Sequence, residues 1–279
     1  MTSINLEKCG IKKLESLEQL DEYFISRQKV KEIIEKRIRC SCDTMGFELC
    51  AKHRLLEEFG LKQLTPLLET LLVFLSTPAA MLEKVFAVDS TGISTFELDR
   101  WRKVRTDFQV HHKYLKLHTM IGTKTKIIVA GTVTHGTQND SPMLIPLLQK
   151  MSPYFVIDEM TADAAYLSRE NAQAIEDKGG TPYFAIKKNI TAKSKGHYPA
   201  WNRMVNLFRS SPELYKEHYH QRSNVEAQYS MMKRKIWEYV ASRNHIAQVN
   251  EALCIAICHN LFVLSNLAFC DGMPIKFKK

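Results

Sequence analysis

The sequence predicts an α/β protein, a mixed β-sheet covered by helices and preceded by a helical N-terminal region. Three observations predict it. Apolar residues recur at helical spacing through the first third, short β-rich runs follow, and helical patterning returns from Pro199 onward. Strands followed by alternating helices and strands pack as layers of this kind. Of the 279 residues, 45% are hydrophobic and 25% charged, so the chain can bury a core and lies far from the composition of disordered chains.

Taken in order, Leu14, Leu17, Leu20, Phe24, Ile25, Val30, Ile33, Ile34 and Ile38 mark one helical segment. A second is carried by Leu55, Leu56, Leu64, Leu67, Leu68, Leu71 and Leu72. Thr77-Pro78-Ala79-Ala80 then breaks the pattern. Strands are expected at Val85–Val88, Tyr114–Ile121, Lys126–Val133, Tyr154–Met160 and Thr181–Lys187. Between the third and fourth runs, Ser141 to Met151 reads as a helix with Pro142 in its first turn. Ser168 caps another helix that runs to Lys178 and stops at Gly179-Gly180. The organisation expected is a helical region over 1–80, a mixed-sheet domain over 81–270 with a short helical stretch at about 189–218, and a basic tail over 271–279.

Charge is unevenly spread. The chain carries 39 Lys and Arg against 30 Asp and Glu, a formal charge of +9, which favours a polyanionic partner. Nucleic acid leads, with an anionic membrane surface behind it. Residues 100–126 hold +7 and residues 181–243 hold +8, whereas 127–180 hold −4. Two basic strips around an acidic segment are the footprint of a nucleic-acid protein rather than of a surface tuned for solubility.

Other classes are excluded by simple features. The opening Met-Thr-Ser-Ile-Asn-Leu-Glu-Lys lacks the basic and apolar regions of a secretory signal, so a cytoplasmic protein is expected. Val249 to Phe269 is apolar but carries Asn250, Glu251, His259, Asn260 and Asn266, so it reads as a buried core helix with no membrane partner. The seven cysteines are scattered and read as free thiols. Cys40, Cys42, Cys50 and His53 offer four zinc-type ligands, but the first pair is too close for the usual knuckle and structural zinc is not expected.

Three acids carry the chemistry. Asp89 follows the apolar run Lys-Val-Phe-Ala-Val and precedes Ser-Thr-Gly, so it sits at a strand end where an unpaired carboxylate is costly. Asp163 repeats the arrangement ahead of Ala-Ala-Tyr166. Glu226 lies in Tyr219-x-x-Arg222-x-x-x-Glu226, with six residues before Lys233. On a continuous helix, offsets of three, four and seven bring Tyr219, Arg222, Glu226 and Lys233 to one face, an acid between two cations. Hard oxygen ligands of this sort suit Mg or Mn, and two such ions about 4 Å apart can activate an attacking oxygen and stabilise a leaving one. Arg222 and Lys233 can contact phosphates or steady the carboxylate. Asp99, Asp107, Asp158 and Glu159 remain rival carboxylates.

In this order and spacing the chain resembles the DDE transposases of prokaryotic insertion sequences, in the subgroup with the Tyr-Arg-Glu-Lys signature. Lys113-Tyr-Leu-Lys116-Leu-His118 is similar to the second strand of their catalytic domains. The resemblance covers about residues 83–268. It implies a ribonuclease H-like fold and a triad of Asp89, Asp163 and Glu226 that binds two Mg ions, with Mn able to substitute. It also implies cleavage at the element's ends and attack of the freed 3′-hydroxyl on target DNA. Tyr219, Arg222 and Lys233 would contact DNA near the cut, and Lys187, Lys188 and Arg234 of the same basic strip join the DNA-binding candidates. The partners implied are terminal inverted repeats, target DNA and a second copy of the chain in a synaptic dimer. Other readings are a transposase-derived protein that binds DNA without cutting it and another ribonuclease H-like nuclease. Trp201 could hold a flipped base, but a packed core residue is the better expectation.

Overall fold

An apolar run from Val85 to Val88, continued by small polar residues, forms the centre of a mixed sheet. The computed structural model describes residues 46–95, 114–186, 190, 197–236 and 239–278, with 46–59, 61 and 235 described by backbone alone. The elements are α1 (Gly46–Ser76), β1 (Val85–Thr95), β2 (Tyr114–Gly122), β3 (Ile128–His135), α2 (Leu144–Lys150), β4 (Glu159–Ala162), α3 (Arg169–Asp177) and β5 (Thr181–Phe184). They are followed by α4 (Pro199–Ser210), α5 (Pro212–Tyr219), α6 (Ser223–Lys235), β6 (Tyr239–Val240) and α7 (His245–Phe269). Among the described residues the strands run in the order β3-β2-β1-β4-β5, with β6 paired to the far end of β1.

The first three strands are antiparallel, whereas β1, β4 and β5 are parallel. A hairpin suffices for the former, and the latter need the crossovers that α2 and α3 provide. Phe86, Ala87 and Val88 are all fully buried, so both faces of β1 are covered. The result is the ribonuclease H-like mixed sheet with helices on both sides, including the short helical insertion α4 and α5.

Two helix signals act as expected. The Ser168 hydroxyl accepts from the Asn171 amide at 3.0 Å, and Gly179 ends α3 with a φ of 89° that other residues adopt at a cost. Ser141–Met143 opens the next expected helix as a 3-10 turn before α2.

Several boundaries differ. The strand expected over Tyr154–Met160 begins only at Glu159, because a turn through Ser152–Phe155 delays it. Conversely β1 runs seven residues past Val88, since its ladder with β2 continues after the parallel ladder with β4 stops. The C-terminal third is not wholly helical, as β6 shows.

Residues Gly60–Lys278 form one compact unit, in which Leu68, Leu72 and Leu75 of α1 are buried. The helical pattern over 14–38, and Cys40 and Cys42, lie outside the described residues. Lys62–Met81 and α7 are each long and apolar enough to cross a membrane. The polar groups of α7 have specific partners. Asn260 accepts from the Ile128 amide at 2.8 Å and donates to its carbonyl at 2.7 Å, closing the start of β3. His259 meets the Lys126 carbonyl at 2.8 Å, and Thr65 donates to Asn250 at 2.6 Å. Trp201 is 7% exposed beneath the Arg169 guanidinium, a packed residue as expected.

Candidate functional site

Register brings the two aspartates together. The parallel ladder between β1 and β4 ends at the pair Val88 and Ala162, and each strand's next residue is an aspartate. Asp89 is therefore not at a strand end, as expected from the turn-like Ser-Thr-Gly, but in the middle of β1. What ends there is the pairing with β4, and this carboxyl end of parallel strands is where open α/β sheets place their sites. Each aspartate fixes one oxygen on the following amide. Asp89 Oδ1 accepts from Ser90 at 2.8 Å and Asp163 Oδ1 from Ala164 at 2.7 Å. Each Oδ2 is left toward Arg222.

A docked helix supplies the third acid. Tyr229 is buried in α6, where its hydroxyl donates to the Asp89 carbonyl at 2.7 Å and meets the Thr119 hydroxyl at 2.8 Å. Val225 and Met232, fully buried on the same helix, complete the seam. One turn before Tyr229, Glu226 thus stands over β1.

All three acids converge on Arg222. Its Nη2 lies 3.7 Å from Asp89 Oδ2 and 3.7 Å from Asp163 Oδ2, and its Nη1 donates to Glu226 Oε1 at 2.8 Å. Burial pushes the Asp89 carboxyl above its ordinary pKa. The Ser90 amide and the Arg222 guanidinium oppose that rise, and the charges of Asp163 and Glu226 add to it. Tyr219 borders the same cluster, half-buried, with its hydroxyl raised by burial and lowered by Arg222.

The helix carrying these residues is not continuous. Tyr219 ends α5, His220–Arg222 form a 3-10 turn, and α6 starts at Ser223. Ser223 Oγ donates to the His220 carbonyl and Asn224 Nδ2 to the Gln221 carbonyl, competing with the regular ladder and tightening the turn. Arg222 and Glu226 still meet, because the chain re-enters α6 at once.

The remaining candidates fall elsewhere. Lys233 is half-buried, two turns and about 10 Å further along α6, and forms no ion pair with the three acids. Arg234 is exposed, its Nε bonded to the Ser230 carbonyl. Lys187 and Lys188 lie outside the described residues, as do the rival acids Asp99 and Asp107 and most of the first basic strip. The other rivals are at the wrong end of the sheet. Glu159 pairs in register with Val85 and bonds His218 at 2.8 Å, and Asp158 pairs with Lys84.

A polar frame stands behind the aspartates; Lys116, His118 and Tyr166 belong to the quoted motifs, but its acid, Asp140, had no sequence signal strong enough to name it. Asp140 Oδ1 accepts from Lys116 Nζ at 2.8 Å and from the Ser90 hydroxyl at 3.3 Å. Asn-Asp-Ser-Pro reads as a helix start, yet the Asp140 side chain makes no capping bond and turns to the sheet instead. His118, fully buried, joins Tyr166 at 3.0 Å to Thr134 at 2.8 Å. Burial holds this imidazole at a pKa of about 4; Asp140 raises it and Lys116 lowers it.

The donor set fits a divalent cation. Three carboxylates are the hard oxygen donors that a divalent cation takes, and the Arg222 guanidinium supplies the positive charge among them. Among the described residues no three acids, imidazoles or thiols yet stand within joint reach of one ion. Of Cys50 and His53 only the helical backbone is described.

Residues 81–261 match the model of a family described as transposase DDE domain. No curated protein matches the chain. Among solved structures it is similar to a chain in the cryo-EM structure of the simian T-cell lymphotropic virus intasome in complex with PP2A regulatory subunit B56 gamma. That likeness has 14% identity and a TM-score of 0.27, over 61% of this chain and 55% of the other. The protein thus spans just over half the length of the chain that it matches.

Proposed function

The chain belongs to the family of transposase DDE domains, and we propose that it cuts DNA at the ends of an insertion sequence and joins the freed 3′-hydroxyls to target DNA. Asp89, Asp163 and Glu226 are the catalytic acids in this reading. The observation that carries it is the meeting of these three carboxylates at one guanidinium, at 3.7, 3.7 and 2.8 Å. Separate strands and a separate helix bring them there.

The two aspartates and Glu226 would hold a pair of Mg ions. When bound, such ions lower the pKa of the attacking water or hydroxyl and neutralise charge on the leaving oxygen. The protein's own part is positional. The Ser90 and Ala164 amides orient the Asp89 and Asp163 carboxylates, and the Tyr229 hydroxyl pins the Glu226 helix to the strand that carries Asp89. Tyr219 and Arg222 border the acids and grip the phosphate beside the cut, with Arg222 offering a planar fork. Lys233 and Arg234 bind the backbone further out, and Lys187 and Lys188 add basic charge for DNA.

The Tyr-Arg-Glu-Lys spacing supports the insertion-sequence subgroup of a prokaryote, hence terminal inverted repeats as the DNA recognised and the cytoplasm as the setting. Synapsis of two ends calls for a homodimer.

The test is direct. With Mg and a duplex carrying the element's ends, the protein nicks at the end, and Asp89→Asn, Asp163→Asn and Glu226→Gln each abolish nicking while leaving the melting curve cooperative. Full cleavage by any one variant removes that residue from the triad.

A further inference from the structure

Three carboxylates aimed at one place repel one another, and a single guanidinium carries only one compensating charge. Arg222 is nonetheless committed to all three. Its side chain is 20% exposed, and its Nε is buried without a hydrogen-bond partner. A guanidinium placed only for stability would satisfy that donor. It also reaches all three acids, and among the described residues no three acids, imidazoles or thiols are within joint reach of one ion. The residue sits on a 3-10 turn between two helices, where a change of side-chain direction need not disturb either ladder.

We propose that Arg222 is an exchangeable counter-ion: it holds Asp89, Asp163 and Glu226 together in the metal-free protein and is displaced when divalent metal binds. This rests on the metal-binding reading above and adds a consequence to it. The displaced fork, still beside the acids, becomes free for a DNA phosphate. Metal binding and phosphate binding then favour each other. A phosphate that draws Arg222 away strengthens metal binding, and by linkage metal strengthens DNA binding by the same factor. Either metal or a phosphate alone draws Arg222 from the acids in part, and the two together do so most fully.

Calorimetric titration with MnCl₂, without DNA, tests the exchange. Arg222→Gln is expected to bind Mn about tenfold more tightly than the parent protein, within the usual range of site coupling. In EDTA it melts at a lower temperature, and Mn restores the loss. Arg222→Lys keeps the charge without the fork and binds Mn with intermediate affinity, which decides the matter if the Gln variant fails to fold. Anisotropy of a labelled duplex of arbitrary sequence is the second readout. Mn tightens its binding to the parent protein, and Arg222→Gln loses that gain. Equal or weaker Mn binding by both variants overturns the exchange while leaving the metal site standing. Absence of Mn binding by the parent protein, or undiminished binding by Asp163→Asn, overturns both.

Discussion

The imidazole of His118 has no route to solvent and hydrogen-bonds through both nitrogens, to Tyr166 and to Thr134. Asp140 and Lys116 are the charged groups that face it. Free imidazole titrates near 6.5, whereas the folded one resists protonation until about 4. The unfolded chain therefore takes up a proton that the folded chain does not. This share of stability is intact above pH 6.5 and is lost as the pH falls toward 4, with a slope of up to about 1.4 kcal/mol per pH unit. Urea titrations across that range will show the slope, and His118→Gln will flatten it. The residue scale is also where sequence reading was most uneven. Asp89, Asp163, Arg222 and Glu226 could be named because apolar runs and helical offsets frame them. Asp140 could not, because its partner Lys116 is 24 positions away and its neighbours imitate a helix cap. Lys233 shares the motif but not the cluster, since two helical turns carry it along α6.

Elements followed their local signals when those signals concerned the backbone nearby. Ser168 was readable as a cap because its partner is three residues away, and the bond is present at 3.0 Å. Ser168→Ala will cost about 1 kcal/mol and lower Tm by about 2–4 °C, measured by thermal denaturation. Signals failed where a distant partner decides. The extension of β1 from Ser90 to Thr95 depends on pairing with Tyr114–His118, which no local pattern announces. The helical face drawn through Tyr219 and Glu226 was right about the meeting of Arg222 with Glu226. It was wrong about continuity, because Ser223 and Asn224 bond back to the carbonyls of His220 and Gln221.

For the molecule as a whole, the second half of α1 belongs with the sheet. Leu68, Leu72 and Leu75 are buried in the core that covers β3, and the Leu72 carbonyl accepts from Asn260. We expect a fragment of residues 60–278 to unfold cooperatively. A fragment of residues 81–278, cut where the sequence changes texture, will lose several buried leucines, each worth roughly 2–5 kcal/mol, and will not fold. Circular dichroism melts of the two fragments compare them directly. Chain order and spacing were enough for the α/β class and for the stop of α3 at Gly179, because those depend on short-range patterns, whereas the three acids were singled out through their resemblance to a family motif. Folding decided that Asp89 and Asp163 each follow the last register pair of β1 and β4, that Tyr229 docks the Glu226 helix, and that Arg222 stands among all three carboxylates. Such placements arise from pairing between segments up to 140 positions apart, and a linear pattern carries no record of which distant groups will meet.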